Sequence, residues 1–126
     1  MIDQTAYMPR IPGIGETLHG SDYRTGFSGK GANQTVAAKR FLSSDSTSNR
    51  GGGSVSVAIV TRVRDESDGR ATLENFKDNG VLTDFVSVET GRPTGVAPIT
   101  VDTETGDNSI IVVMGANDAL TIKFSF

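Results

Sequence analysis

Phe27-Ser28-Gly29-Lys30-Gly31-Ala32-Asn33-Gln34 is a run of glycine, lysine and amide that passes directly into a helical pattern. Glycine lets backbone N–H groups come close to a ligand, and the first turn of a helix leaves donors unpaired. Lys30 and Asn33 would then point polar side chains into one small volume, which suits a polyhydroxylated or anionic small molecule. The spacing is not that of a Walker A loop, which needs four residues between its first glycine and the Gly-Lys-Ser/Thr. The residues themselves leave two readings open, a ligand site and a plain glycine-rich turn before a helix.

Downstream of this stretch, Gly31 to Leu42 reads as a helix: Ala32, Val36, Ala37, Arg40 and Phe41 recur at helical spacing, and Ala38 and Leu42 widen the apolar stripe. Ser43 to Gly53 is serine- and glycine-rich and reads as a flexible loop. Ser54 to Val63 alternates with apolar residues on both faces, the pattern of a buried strand. Asp65 or Ser67 is expected to cap a second helix that carries Leu73 and Phe76 and stops at Asn79-Gly80. Val81 to Val88 is strand-like, so the strand–helix–strand order predicts a parallel crossover.

Upstream, Met1 to Arg10 carries little periodic signal, and Pro9 and Pro12 force extended or turn backbone. Pro12-Gly13-Ile14-Gly15 reads as a turn, and a strand is expected from Glu16 to Phe27. His19 would be a solvated residue of that strand rather than a base, because no acid lies at a readable spacing. In the last third, Thr94–Val101 and Asn108–Met114 form a hairpin about the turn chemistry of Asp102 to Asp107. Pro98 within the first run calls for an edge position or a bulge. Gly115 to Asp118 ends the hairpin, and the tail leaves Phe124 and Phe126 uncovered.

Composition narrows the function classes. A chain of 126 residues fits one domain, and 36% hydrophobic residues with 15 glycines imply a thin core. A net charge of −3 with interspersed signs points to neither a nucleic-acid partner nor a membrane surface. The absence of cysteine excludes disulfides, zinc-thiolate sites and a thiol nucleophile, and a single histidine excludes a multi-histidine metal site. With no long apolar run and no leader pattern at the N-terminus, a soluble cytoplasmic protein is the expectation.

Several motifs together resemble the ribokinases of the PfkB-type carbohydrate kinase family. They are Met1-Ile2-Asp3, Pro12-x-x-Gly15-Glu16-Thr17, Gly29-Lys30-Gly31-Ala32-Asn33-Gln34, Asp65-x-x-x-Gly69, Thr94-Gly95-Val96-Ala97 and Gly115-Ala116-Asn117. The resemblance implies an α/β fold over residues 1–126: an incomplete central sheet with two helices, plus a small β-sheet lid made of the 16–27 strand and the 94–114 hairpin. It implies ATP-dependent phosphoryl transfer to the primary hydroxyl of D-ribose or a related pentose, with Mg²⁺ and a monovalent cation such as K⁺. It places sugar hydroxyls against Asp3, Gly29, Lys30 and Asn33. Their chemistry suits that role, since a carboxylate accepts two vicinal hydroxyls and an amide both donates and accepts. Ala97 and Val112 would form an apolar cover from the lid, or serve ordinary strand packing. Family lids pair into a homodimer through exposed strand edges.

The departures from the family pattern decide what this chain is expected to do. Met1 falls just after the usual Gly-Ser turn, so the first central strand is missing from the resemblance. Ser28 stands where a second glycine is usual, which is tolerable if its φ is negative. Residues 43–53 look like an insertion, and Arg64 replaces a glycine. The Gly-Ala-Gly-Asp motif with the general base, and the nucleotide pocket beyond it, have no counterpart, so no catalytic residue and no metal ligand is assigned. A truncated family member inactive by itself is the expectation. Half of a split enzyme, a non-catalytic sugar-binding or lid-pairing module, and a fragment without a function of its own stay open.

Overall fold

The computed structural model describes residues 1–44 and 55–121, and it divides into a β-sheet lid and an α/β body. The elements run β1 (Ile2–Met8), β2 (Asp22–Phe27), α1 (Lys30–Ser44), β3 (Thr61–Arg64), α2 (Ser67–Asp78), β4 (Val86–Glu89), β5 (Val96–Asp102) and β6 (Asn108–Ile110), then a 3₁₀ turn over Gly115–Ala119. The lid is a four-stranded sheet of order β2-β1-β5-β6, and the body sheet is the pair β3-β4. The α/β class and the two helices match the expectation from sequence.

The N-terminal stretch that carried no periodic signal is one of the two inner strands of the lid. β1 pairs antiparallel with β2 and parallel with β5 along its whole length. Only its ends, Ile2 and Met8, are buried, and the residues between are half-buried on both faces. It is held by backbone pairing on two edges rather than by one apolar face, so hydrophobic alternation is silent there.

The strand expected from Glu16 begins only at Asp22. Residues 9–21 form an excursion instead, stapled where Nη1 and Nη2 of Arg10 donate to the Glu16 carboxylate and the Gly13 N–H reaches the same group at 2.9 Å. His19 is exposed as expected, but in this excursion rather than in a strand. Gly15 turns the chain at φ 76°.

In the hairpin, the Asp102 carboxylate accepts from the N–H groups of Glu104 and Thr105 at 2.8 and 3.0 Å, and Gly106 closes the turn at φ 80°. Pro98 departs from expectation: β5 lies between β1 and β6, and the register runs unshifted from Ile99↔Ile110 to Val96↔Val113. Proline therefore sits inside the sheet with neither edge nor bulge. Its carbonyl accepts from the Ile111 N–H at 3.0 Å, while the return bond is forgone and the regular β5–β6 ladder is interrupted there.

The body has a small core of Ile59, Phe76 and Val81, against which Ala32, Val36 and Val86 pack. β3 and β4 run parallel with α2 between them, the predicted crossover. The strand expected over Ser54–Val63 is shorter and later: regular pairing begins at Thr61, preceded by a single bridge from Ala58 to Leu82. Ser54 lies outside the described residues. Only one face of the run is buried, with Ile59 and Val63 inside and Val60 outside, and Val55 on the inner side is exposed at the start of the run.

Helix α2 ends as predicted, with Asn79 as C-cap and Gly80 at φ 70°. Its start does not match, because the N-cap is Glu66 rather than Asp65 or Ser67, and no side chain caps it. Helix α1 keeps the predicted stripe through Ala32 and Val36 but leaves Phe41 and Leu42 exposed. The helix includes Ser43 and Ser44, and residues 45–53 of the expected insertion lie outside the described residues, as do Phe124 and Phe126.

Candidate functional site at the lid–helix cleft

Where β2 hands over to α1, the chain passes through Ser28 and Gly29. Gly29 has φ 105°, a conformation that a side chain resists, and its carbonyl accepts the Asn33 N–H at 2.9 Å. Ser28 is not in the positive-φ region, which meets the condition for a serine at that position, and its N–H donates to the Met1 carbonyl at 3.0 Å. Lys30 therefore begins α1, and no acid occupies the first turn. The helix start combines unpaired backbone donors, a partial positive charge and the lysine.

The lid supplies the facing wall. Asp3 on β1 is the register partner of Ala97 on β5, so both side chains leave the same face of the sheet. Continuing the β5–β6 register between Ile99↔Ile110 and Val96↔Val113 sets Val112 opposite Ala97. Asp3, Ala97 and Val112 thus lie in one row across three adjacent chain segments, with Ile99 and Ile110 in the next row. A cleft of about 570 Å³ opens between this face and the start of α1. Its walls hold all six residues singled out in the sequence: Asp3, Gly29, Lys30, Asn33, Ala97 and Val112. Ala97 is 3% exposed and Val112 55%, so the first is a packed strand residue and the second an open rim.

Sequence reasoning passed over Ile99, Ile110, Met114 and Asn117, which also line the cleft. The first three were within reach, since each is two residues from Ala97 or Val112 and a strand alternates with period two. Asn117 was a motif residue without a role. Its amide donates to the Met114 carbonyl at 3.0 Å and tightens the turn that closes the cleft floor. Met1 lies on the wall as well.

A second cleft, of about 420 Å³, lies between α1 and α2 and shares Met1, Ser28, Ala32 and Asn33 with the first. Among the described residues no group of three or more His, Cys, Asp or Glu converges.

A sheet lid over a helix start thus brings a carboxylate, a lysine, an amide and apolar strand residues to the walls of one cleft. The pfkB family carbohydrate kinase model matches residues 1–125, and the chain belongs to this family. Within it, the chain is 39% identical over 121 residues to a ribokinase of Dictyostelium discoideum, covering 96% of this chain and 34% of that protein. It is 42% identical over 124 residues to a ribokinase of Bacillus subtilis (strain 168), covering 98% and 38%. The solved structure of Arabidopsis thaliana ribokinase complexed with ribose and ATP superposes with a TM-score of 0.74 at 30% identity, covering 92% of this chain and 34% of that one. The chain spans about a third of the length of these relatives.

Proposed function

We propose that this chain is the sugar-binding, lid-bearing portion of a ribokinase-type kinase, and that D-ribose or a related pentose occupies the cleft between the lid and α1. The observation that carries this reading is the convergence of Asp3, the Gly29–Asn33 helix start, Ala97 and Val112, from distant parts of the chain, on one cleft. In it the Asp3 carboxylate accepts hydroxyl protons, Lys30 donates, and Asn33 does both, while Gly29 lets the ring approach the backbone. Ala97 and Val112 cover the apolar side of the sugar and exclude water. ATP, Mg²⁺ and K⁺ belong to the whole kinase. Phosphoryl transfer to the primary hydroxyl needs a general base and a phosphate-binding loop that no described residue of this chain is assigned, so the chain by itself is inactive.

Titration of the purified chain with D-ribose, read by calorimetry and amide chemical shifts, tests this reading. Ribose perturbs Gly29–Asn33 and Ala97, Asn33→Ala and Asp3→Asn each weaken binding by about ten- to a hundredfold, and His19→Ala leaves it unchanged. With MgATP and K⁺ added, no ribose 5-phosphate forms above buffer. Weakening by His19→Ala without weakening by Asn33→Ala would put the site elsewhere.

A second reading rests on β2, the outer strand of the lid, whose residues are exposed from Asp22 to Phe27 and include Tyr23 at 60% and Phe27 at 49%. Such an edge offers pairing to a second lid. A sedimentation experiment that finds monomer at all concentrations removes this reading.

A further inference from the structure

Glu66 holds the N-cap position of α2, where a side-chain oxygen ordinarily accepts from the helix's own first N–H groups. It makes no such bond. Its Oε1 instead accepts the backbone N–H of Thr94 at 2.6 Å, and its Oε2 lies 3.8 Å from the Arg64 guanidinium. The Thr94 hydroxyl oxygen accepts in return from the Arg64 N–H at 3.1 Å. Thr94 is 2% exposed, so this reciprocal pair joins the β3–α2 turn of the body to the segment that enters β5. Three residues further on is Ala97, in the wall of the cleft.

The returning segment is clamped at the same place. The Ala116 N–H donates to the Pro93 carbonyl at 2.7 Å, and Ala116 is fully buried. A Cβ on Gly95 would stand 2.6 Å from Asn117 Nδ2, and one on Gly115 2.2 Å from the Pro93 carbonyl. A Cβ on Gly69 would meet the Arg64 carbonyl at 1.9 Å. The segment that enters β5 and the segment that leaves β6 are therefore packed closely against each other, and the Glu66 and Thr94 side chains bond the first of them to the β3–α2 turn.

We infer that Glu66 is a positioning residue: through Thr94 it fixes the angle of the lid over the start of α1 and so the width of the sugar cleft. Its carboxylate bonds to the segment entering β5 rather than to the N–H groups of α2. The effect on sugar affinity rests on the proposed ribose site, whereas the effect on lid position does not.

The full chain lacks cysteine, so Lys77→Cys on α2 and Ser109→Cys on β6, both exposed, accept spin labels specifically. Electron–electron distances are measured in labelled chain diluted with unlabelled chain, so that only intramolecular pairs are read. The parent pair and Glu66→Gln, which keeps an acceptor oxygen for Thr94, give one narrow distribution. Glu66→Ala gives a broad or shifted one, and D-ribose affinity falls on the order of tenfold. If Glu66→Ala does not fold, Glu66→Leu against Glu66→Gln makes the same comparison, because glutamine keeps an acceptor for the Thr94 N–H and leucine keeps only the bulk. An unchanged narrow distribution in Glu66→Ala, or in Glu66→Leu, overturns the inference. Absence of ribose binding in the parent chain with a broadened Glu66→Ala distribution removes the ribose site and leaves the positioning role standing.

Discussion

The lid and the body are held together by different forces. In the lid, β1 is bonded on both edges from Ile2 to Tyr7, and buried residues are few: Ile2, Met8, Ala97 and Asp102. In the body, two short strands are joined by only four residue pairs, so cohesion rests on side chains around Ile59, Phe76 and Val81. Around that core much apolar surface stays open, with Val60 at 64% exposure, Phe85 at 62% and Val88 at 53%. A sheet edge satisfied by its neighbours tolerates polar faces, as β1 does with its half-buried Gln4 and Thr5. A two-stranded sheet cannot do the same, because a hairpin-sized ladder is marginal without packing. The cleft combines the two modes: one wall is positioned by strand register, the other by a helix docked on the body core.

The largest expected effect separates these modes. Phe76 is 1% exposed at the centre of the body, and Phe76→Ala should cost about 3–5 kcal/mol. Native-state hydrogen exchange should then show protection lost in α2, β3 and β4 while the β1–β5 amides keep theirs. Uniform loss would mean that lid and body unfold as one unit.

An intermediate effect is expected at the joint. Gly115 has φ 55°, and a Cβ there would stand 2.2 Å from the Pro93 carbonyl. Gly115→Ala should destabilise by roughly 1–3 kcal/mol, from overpacking and the unfavourable backbone conformation together. The thermal transition should fall, and exchange should rise first in residues 93–97 and 113–117. A silent substitution would show that the two crossings are looser than their packing.

The smallest effect is confined to the lid's excursion. The Arg10 guanidinium, helped by the Gly13 N–H, pulls the Glu16 carboxyl from 4.5 down to about 2. A depressed carboxyl stabilises the folded form above its unfolded pKa and loses that contribution as pH falls through the folded value. The staple should therefore be intact above pH 4.5 and open progressively towards pH 2. Amide exchange across residues 10–16 should rise over that window, and the same rise should appear at neutral pH in Glu16→Gln. Both groups are solvated, so the change should be local, with α2 unaffected. Opening of the body over the same window would tie the excursion to it.

Local signals were legible in the chain because their bonds close within a few residues. The Asn79-Gly80 stop, the Asp102–Gly106 turn, the Gly29 entry into α1 and the parallel crossover through α2 all follow from caps, positive-φ glycines and periodicity. Motif combinations likewise singled out six residues that the fold gathers around one cleft. What the sequence left undecided depends on partners far away along the chain. β1 has no apolar alternation of its own, and only pairing with β2 and β5 makes it the middle of the lid. Glu66 looks like any acid before a helix until Thr94 is folded against it. Pro98 reads as an edge residue because proline costs a ladder bond, and only the sheet order reveals that the lid accepts that loss in its interior. Val60 and Ile59 are equally apolar as letters, and which one is buried is set by the single side from which α2 and α1 cover the strand.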